Sequence, residues 1–313
     1  MAENATRVTE FILVGFQLQT SLRVSFFFVF LAFYLITVGG NLGMIMLIQS
    51  DRRLQTPMYF FLSHLSFLDI CYSSVIVPQL LVTFGTAKTV ITYGRCATQF
   101  FFFTLYASTE CFLLAVMAYD RYVAVCNPLL YAVAMTPQKR VGLVMAAYGG
   151  AMVNTVIRTG CTFSISFCKS NQVDFFFCDL PPLLKLVCSE TRRKEQVIFL
   201  FAFLVITTSI LIILTSYLFI IRAILKIRTA GGKAKTFSTC ASHMTAVALF
   251  FGTLIFMYLK SNMGKSLWED KIVSVFYTVI IPMLNPMIYS LRNKEVKEAL
   301  NKVAQRMRVS RAE

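Results

Sequence analysis

The chain of 313 residues is 57% hydrophobic and only 14% charged, yet it carries a net charge of +15. A water-soluble domain usually has about a quarter of its residues charged, so this composition excludes an ordinary soluble enzyme or binding module. The basic excess does not indicate nucleic acid, because Lys and Arg fall in short clusters between long apolar runs, with no basic stripe and no RNA- or DNA-binding motif.

The first residues, MAENATRVTE, offer neither a basic n-region nor a small-residue cleavage site, so the first apolar run is expected to act as its own insertion signal. Asn4-Ala5-Thr6 is a glycosylation sequon, usable only on the lumenal side. A membrane helix needs roughly 20 mostly apolar residues. Seven segments meet that length: about 24–48, 58–84, 96–125, 140–165, 196–221, 237–259 and 272–291. The expected architecture is an all-α, seven-transmembrane helix bundle forming one domain over 1–313. It comprises an extracellular N-terminus (1–23), the bundle (24–291) and a cytoplasmic tail (292–313) with a short amphipathic helix. A transmembrane β-barrel would instead show alternation every second residue over about ten, and this sequence does not.

Loop charge sets the orientation. With the N-terminus outside, the cytoplasmic side holds seventeen Lys and Arg against five acids, and the outer side twelve against eight. The excess of basic residues inside is the membrane-topology signal. The cysteines agree. Cys96 falls at the outer end of the third segment, and Cys168, Cys178 and Cys188 fall in the long connection on the same face. Four cysteines in an oxidising compartment read as two disulfides, with three connectivities open.

Ionisable groups inside a span are expensive and therefore functional candidates. Asp69 lies roughly 17 Å into the second segment from the cytoplasmic side, and Glu110 roughly 21 Å into the third from outside, at about 1.5 Å per residue. Asn41 and Asn285 reach a similar depth. Two carboxylates and two amides at mid-membrane suit either a bound cation such as Na⁺ or a neutral hydrogen-bonded network. Arg158, near the outer end of the fourth segment, is expected to extend towards the lipid headgroups. Asp120-Arg121-Tyr122 closes the cytoplasmic end of the third segment, and Pro282 and Pro286 kink the seventh.

At these residues the sequence resembles the rhodopsin-like G-protein-coupled receptors and, within them, the odorant receptors. The resemblance is carried by MAYDRYVAVC (117–126), PMYFFLSHLSFLD (57–69), SY (216–217), KTFSTCASH (235–243) and PMLNPMIYSLRN (282–293), and it runs from Gly40-Asn41 to Asn293. It implies disulfides Cys96–Cys178 and Cys168–Cys188, and an acidic pair of Asp69 and Glu110. It also implies a G-protein switch of Asp120, Arg121 and Tyr122 with Tyr217, Asn285, Pro286 and Tyr289. The implied partner is a heterotrimeric G protein of the stimulatory, olfactory class that raises cyclic AMP, and the implied location is the plasma membrane. Four positions depart from the family pattern: Gln55 stands for a common His, Thr236 for Ala, Phe251 for the Tyr of the sixth segment, and Val125 for the commoner Ile.

The ligand site is expected in the outer half of the bundle. Helical spacing puts Phe103, Thr104, Ala107, Ser108 and Cys111 on one side of the third segment. Phe201, Val205, Leu254, Ile255, Tyr258 and Thr278, with Asp179-Leu180 of the outer loop, complete the candidate lining. Amine-binding relatives have an Asp where this chain has Phe103, so a bare charge would enter without a counter-charge. The expected ligand is a small, neutral, mostly apolar odorant with one hydroxyl, carbonyl or ether group. A transporter would show repeats with matched broken helices, and an enzyme a nucleophile or metal motif. Neither is visible, and no cofactor beyond the Na⁺ candidate is expected.

Overall fold

The computed structural model describes residues 8–86, 88–167, 170–188, 191–227, 229–261, 267–292 and 294–309. Asn4 and Cys168 lie outside the described residues, and so does the side chain of Tyr258.

Among the described residues, seven helices are long and apolar enough to cross a membrane. The first six spans are Thr20–Ser50, Pro57–Thr86, Tyr93–Cys126, Pro137–Phe163, Arg192–Lys226 and Ala230–Ser261. The seventh is assembled from Leu267–Val275, a π-helical turn Phe276–Ile280, and Ile281–Arg292. Most spans overrun their apolar windows because helical backbone continues through polar end residues until a cap stops it. Thr136 shows the device: its hydroxyl accepts the Lys139 amide at 3.3 Å, and Pro137 occupies the first turn, where a missing N–H costs nothing. The third span has the largest buried share and the first span the smallest, which puts the third at the bundle axis.

Proline positions in the seventh span are matched by a neighbour. Pro286 has no N–H to give to the carbonyl four residues back, that of Pro282. Asn41 on the first span donates its Nδ2 to that Pro282 oxygen at 3.0 Å. The buried carbonyl is therefore paired, and the kink is fixed by a side chain of another helix.

The outer face carries a small sheet that no sequence pattern announced. Strands β1 (Glu10–Leu13), β2 (Thr89–Thr92) and β3 (Gln172–Val173) lie in the order β2-β1-β3. β1 runs antiparallel to β2 and parallel to β3, with Phe11 and Leu13 fully buried beneath it. The chain then turns at Gly15, whose φ is +61°. A Cβ there would stand 2.3 Å from Thr83 Cγ2, so both conformation and space demand glycine. Lys271 of the seventh span fastens this cap, donating to Gly15 O at 2.7 Å and to Asp174 Oδ1 at 2.5 Å.

On the cytoplasmic side the expected tail helix spans Lys294–Val309. It buries Val296 and Ala299, and it is held by Tyr59 donating to Glu295 Oε2 at 2.9 Å and Arg53 to Glu298 Oε2 at 3.1 Å.

Candidate functional site: an outer cavity above a buried polar relay

A cavity of about 560 Å³ opens among the outer ends of the spans, well inside the range of small-molecule sites. The third span contributes Phe103, Thr104, Ala107, Ser108 and Cys111 together, as its helical spacing requires. Val205 and Leu254 also line it, and so do Asp179 and Leu180 of the loop. Three candidates stand elsewhere. Ile255 is exposed on the outside of the bundle, and Phe201 is half-buried beyond the lining. Thr278 is fully buried, but its hydroxyl is spent on Ser274 O at 2.7 Å.

The sequence reading missed Tyr72, Asn154, Phe250 and Tyr277, which belong to the wall. For Asn154 a signal was present: an amide in mid-span is costly unless it serves something. Arg158 corrects an expectation. It is half-buried and lines the cavity rather than running out to the headgroups, and its charge acts on the carboxylate of Asp179 in the outer loop. The wall thus carries two acids, Asp179 and Asp270, and two bases, Arg158 and Lys185.

The cavity roof is the disulfide-tethered loop. Cys96 and Cys178 are joined, and the Cys178 amide donates to Gln99 Oε1 at 2.9 Å. Gln99 in turn donates to Val75 O at 3.1 Å. Phe175, Phe176 and Phe177 pack ring on ring and are fully buried. Asp179 caps the next short helix by accepting the Leu180 amide at 2.7 Å. Burial pushes its carboxyl up to about 6, against the opposing pull of that amide and of Arg158. Cys188 is also disulfide-bonded; its expected partner, Cys168, lies outside the described residues.

Below the cavity the third span turns its next face inward. Glu110 and Asp69 are both buried, and Asn285 donates its Nδ2 to both Asp69 oxygens at 3.1 Å. Asn285 Oδ1 and Asn41 Oδ1 find no partner among the described residues. Among those residues no group of three or more His, Cys, Asp or Glu is arranged around a metal position.

Nearer the cytoplasm, Tyr217 OH meets His243 Nδ1 at 2.7 Å, and His243 Nε2 meets Leu114 O at 3.1 Å. A carbonyl can only accept, so Nε2 carries the ring proton and Nδ1 accepts from the tyrosine. This ties the third, fifth and sixth spans together. Arg121 is held by Asp120 Oδ2 at 3.0 Å, while Tyr131 donates to Asp120 Oδ1 at 2.8 Å. Tyr122 packs its ring on Phe219 of the fifth span. The Tyr289 hydroxyl is buried without a partner among the described residues.

A seven-helix bundle with a roofed outer cavity and an arginine at its inner mouth has the fold of a rhodopsin-like receptor. The structure aligns with squid rhodopsin at a TM-score of 0.72, covering 92% of this chain and 82% of that one, at 18% sequence identity. At that identity the likeness establishes the fold. The family follows from sequence: the olfactory receptor family profile matches residues 30–306. The chain is 66% identical to olfactory receptor 9I1 of Homo sapiens over 98% of both chains. It is 59% identical to olfactory receptor 9Q2 of Homo sapiens over 99% of both. Olfactory receptor 5T7 of Mus musculus is 52% identical, over 96% of this chain and 97% of that one. The chain belongs to the olfactory receptor family. It is a multi-pass membrane protein and a G-protein-coupled odorant receptor, not an enzyme, with the plasma membrane its expected location.

Proposed function

We propose that this receptor binds a small, neutral, mostly apolar odorant in the outer cavity and activates a stimulatory, olfactory-type G protein, raising cyclic AMP. The observation that carries the ligand class is the balance of the wall. Its two acids are matched by two bases, so a charged ligand would meet as much repulsion as attraction after losing its hydration. Carbon-rich side chains, among them Phe103, Val205, Phe250 and Leu254, also line it.

Transmission rests on shared helices. Cys111 faces the cavity and Glu110 the polar cluster, while Arg121 lies roughly 15 Å further along the same helix at 1.5 Å per residue. Phe250 and Leu254 touch the ligand space on the sixth span, two and three turns above His243. A ligand that favours an outward position of the sixth span therefore works against the His243–Leu114 tie, and binding shifts the population towards the open mouth. Cells expressing the chain should raise cyclic AMP with part of a broad odorant panel. Silence across the whole panel, with receptor demonstrated at the surface, overturns the reading.

The polar cluster is proposed to hold Na⁺ in the resting state. Its donor set supports this: two buried carboxylates, with an Asn285 oxygen left over beside them, are the hard oxygen ligands such a cation takes. Replacing sodium by a large organic cation at constant ionic strength should then raise agonist potency. Asp69→Asn with Glu110→Gln should abolish that difference. Equal potency in the two salts eliminates the ion and leaves a neutral network.

A further inference from the structure

We infer that the odorant carries a hydroxyl group, as an alcohol or phenol, which donates to Asn154 Oδ1 and accepts from Thr104 or Ser108. This rests on the cavity being the ligand site and narrows its ligand class.

Asn154 of the fourth span, with Thr104 and Ser108 one turn apart on the third, forms a single uncharged polar patch in the wall, one helical turn from Arg158. All three are buried, at 3%, 2% and 5% exposure. Asn154 donates its Nδ2 to Ser108 Oγ at 2.8 Å. Its Oδ1 has no partner among the described residues, and neither has Thr104 Oγ1. Buried polar atoms are nearly always paired, and one left unpaired at a cavity wall needs a reason.

The Thr104 hydroxyl is unusual for a span. Thr37, Thr109 and Thr278 each return their hydroxyl to the carbonyl one turn back, at 2.7–2.8 Å. Thr104 makes no such bond although the Phe100 carbonyl stands in the same relation to it. The other span hydroxyls without a partner among the described residues, those of Thr155, Thr159, Thr162, Ser209 and Tyr289, lie outside the cavity wall. Among the uncharged groups of the wall, the open capacity is therefore concentrated at Asn154 and Thr104.

That capacity has a sense. An amide oxygen only accepts, so it requires a donor. Ser108, already accepting from Asn154, keeps its own proton to give, and Thr104 can give or accept. An ether, ester, ketone or aldehyde offers acceptors alone and leaves Asn154 Oδ1 unpaired. A hydroxyl satisfies both sides at once. A site built to bond a hydroxyl discriminates strongly against the analogue lacking it, because its own buried groups are then stranded.

The test uses matched pairs within an odorant panel: alcohols against their isomeric methyl ethers and the corresponding aldehydes (n-octanol, heptyl methyl ether and octanal), and cresols against anisole. Cyclic AMP is read at surface-tagged receptor. The expected result is activation by hydroxyl members at concentrations at least about tenfold below their hydroxyl-free partners, a difference of about 1.4 kcal/mol. Asn154→Leu should erase that preference by weakening the alcohols while leaving the ethers unchanged or improved. If Asn154→Leu does not reach the surface, Thr104→Val, which keeps shape and removes only the hydroxyl, should reduce the preference in the same direction. Agonists found only among hydroxyl-free members, equal potency within pairs, or a variant that weakens both members equally overturns the inference and leaves the receptor reading intact. Silence of the whole panel overturns both.

Discussion

Two side chains carry separable consequences. Arg121 sits at the inner mouth, 8% exposed and paired with Asp120. Arg121→Ala should abolish agonist-driven cyclic AMP while surface expression persists; wild-type signalling by a surface-expressed variant would remove the arginine from the switch. Asp179 gives a pH signature outside the membrane. Its carboxyl stands at about 6 in the fold, above its ordinary 3.8, so the folded state binds a proton that the unfolded chain has already released. Stability from this group is fully present below about pH 4 and falls as pH rises towards 6. At about 1.4 kcal/mol for each tenfold change in proton affinity, the loss is up to ~3 kcal/mol. Asp179→Asn keeps an oxygen for the Leu180 amide and removes the titration. Melting of detergent-purified protein between pH 4 and 8 should show wild type losing stability relative to the variant over that interval. A constant difference between the two sets the carboxyl back at its ordinary value.

At the level of elements, the His243 imidazole ties the sixth span to the third and fifth. His243→Leu removes the bonds to Tyr217 and to Leu114 O and should raise basal cyclic AMP about twofold or more. Unchanged basal signal at equal expression would mean the tie does not hold the resting state. The spans themselves were legible in the sequence because about twenty consecutive apolar residues have one meaning in a chain this poor in charge. Depth along each helix was legible too, which is why Asp69, Glu110 and Asn285 could be grouped. Rotation about the helix axis was not. A span that is apolar all round has no polar face to fix its facing, so the sequence offers Ile255 as an inward position although it faces out. On the third span Thr104, Ser108 and Glu110 break the uniformity, and there the facing could be read. Arg158 and Asn154 depended on what covers and crosses the fourth span, which no local pattern states. Strands of four and two residues are too short to show alternation, so the sheet was silent as well.

For the molecule as a whole, the outer cap is a set of long-range closures. The Cys96–Cys178 bond joins positions 82 residues apart, and closures of that kind contribute about 2–4 kcal/mol. Cys178→Ser should reduce surface delivery severely, and a variant that reaches the surface in wild-type amounts would show the loop to be held by its aromatic packing alone. The ladder of β1 and the lysine beneath it set an order on biogenesis. β1 meets one neighbour at residues 89–92 and another at 172–173, and Gly15 is fastened by a lysine 256 positions later. No bond forms to a residue not yet synthesised. The latch on Gly15 therefore closes only after six spans have been made, although β1 can pair with β2 long before, so that a ribosome stalled before Lys271 leaves its receptor with that end unlatched.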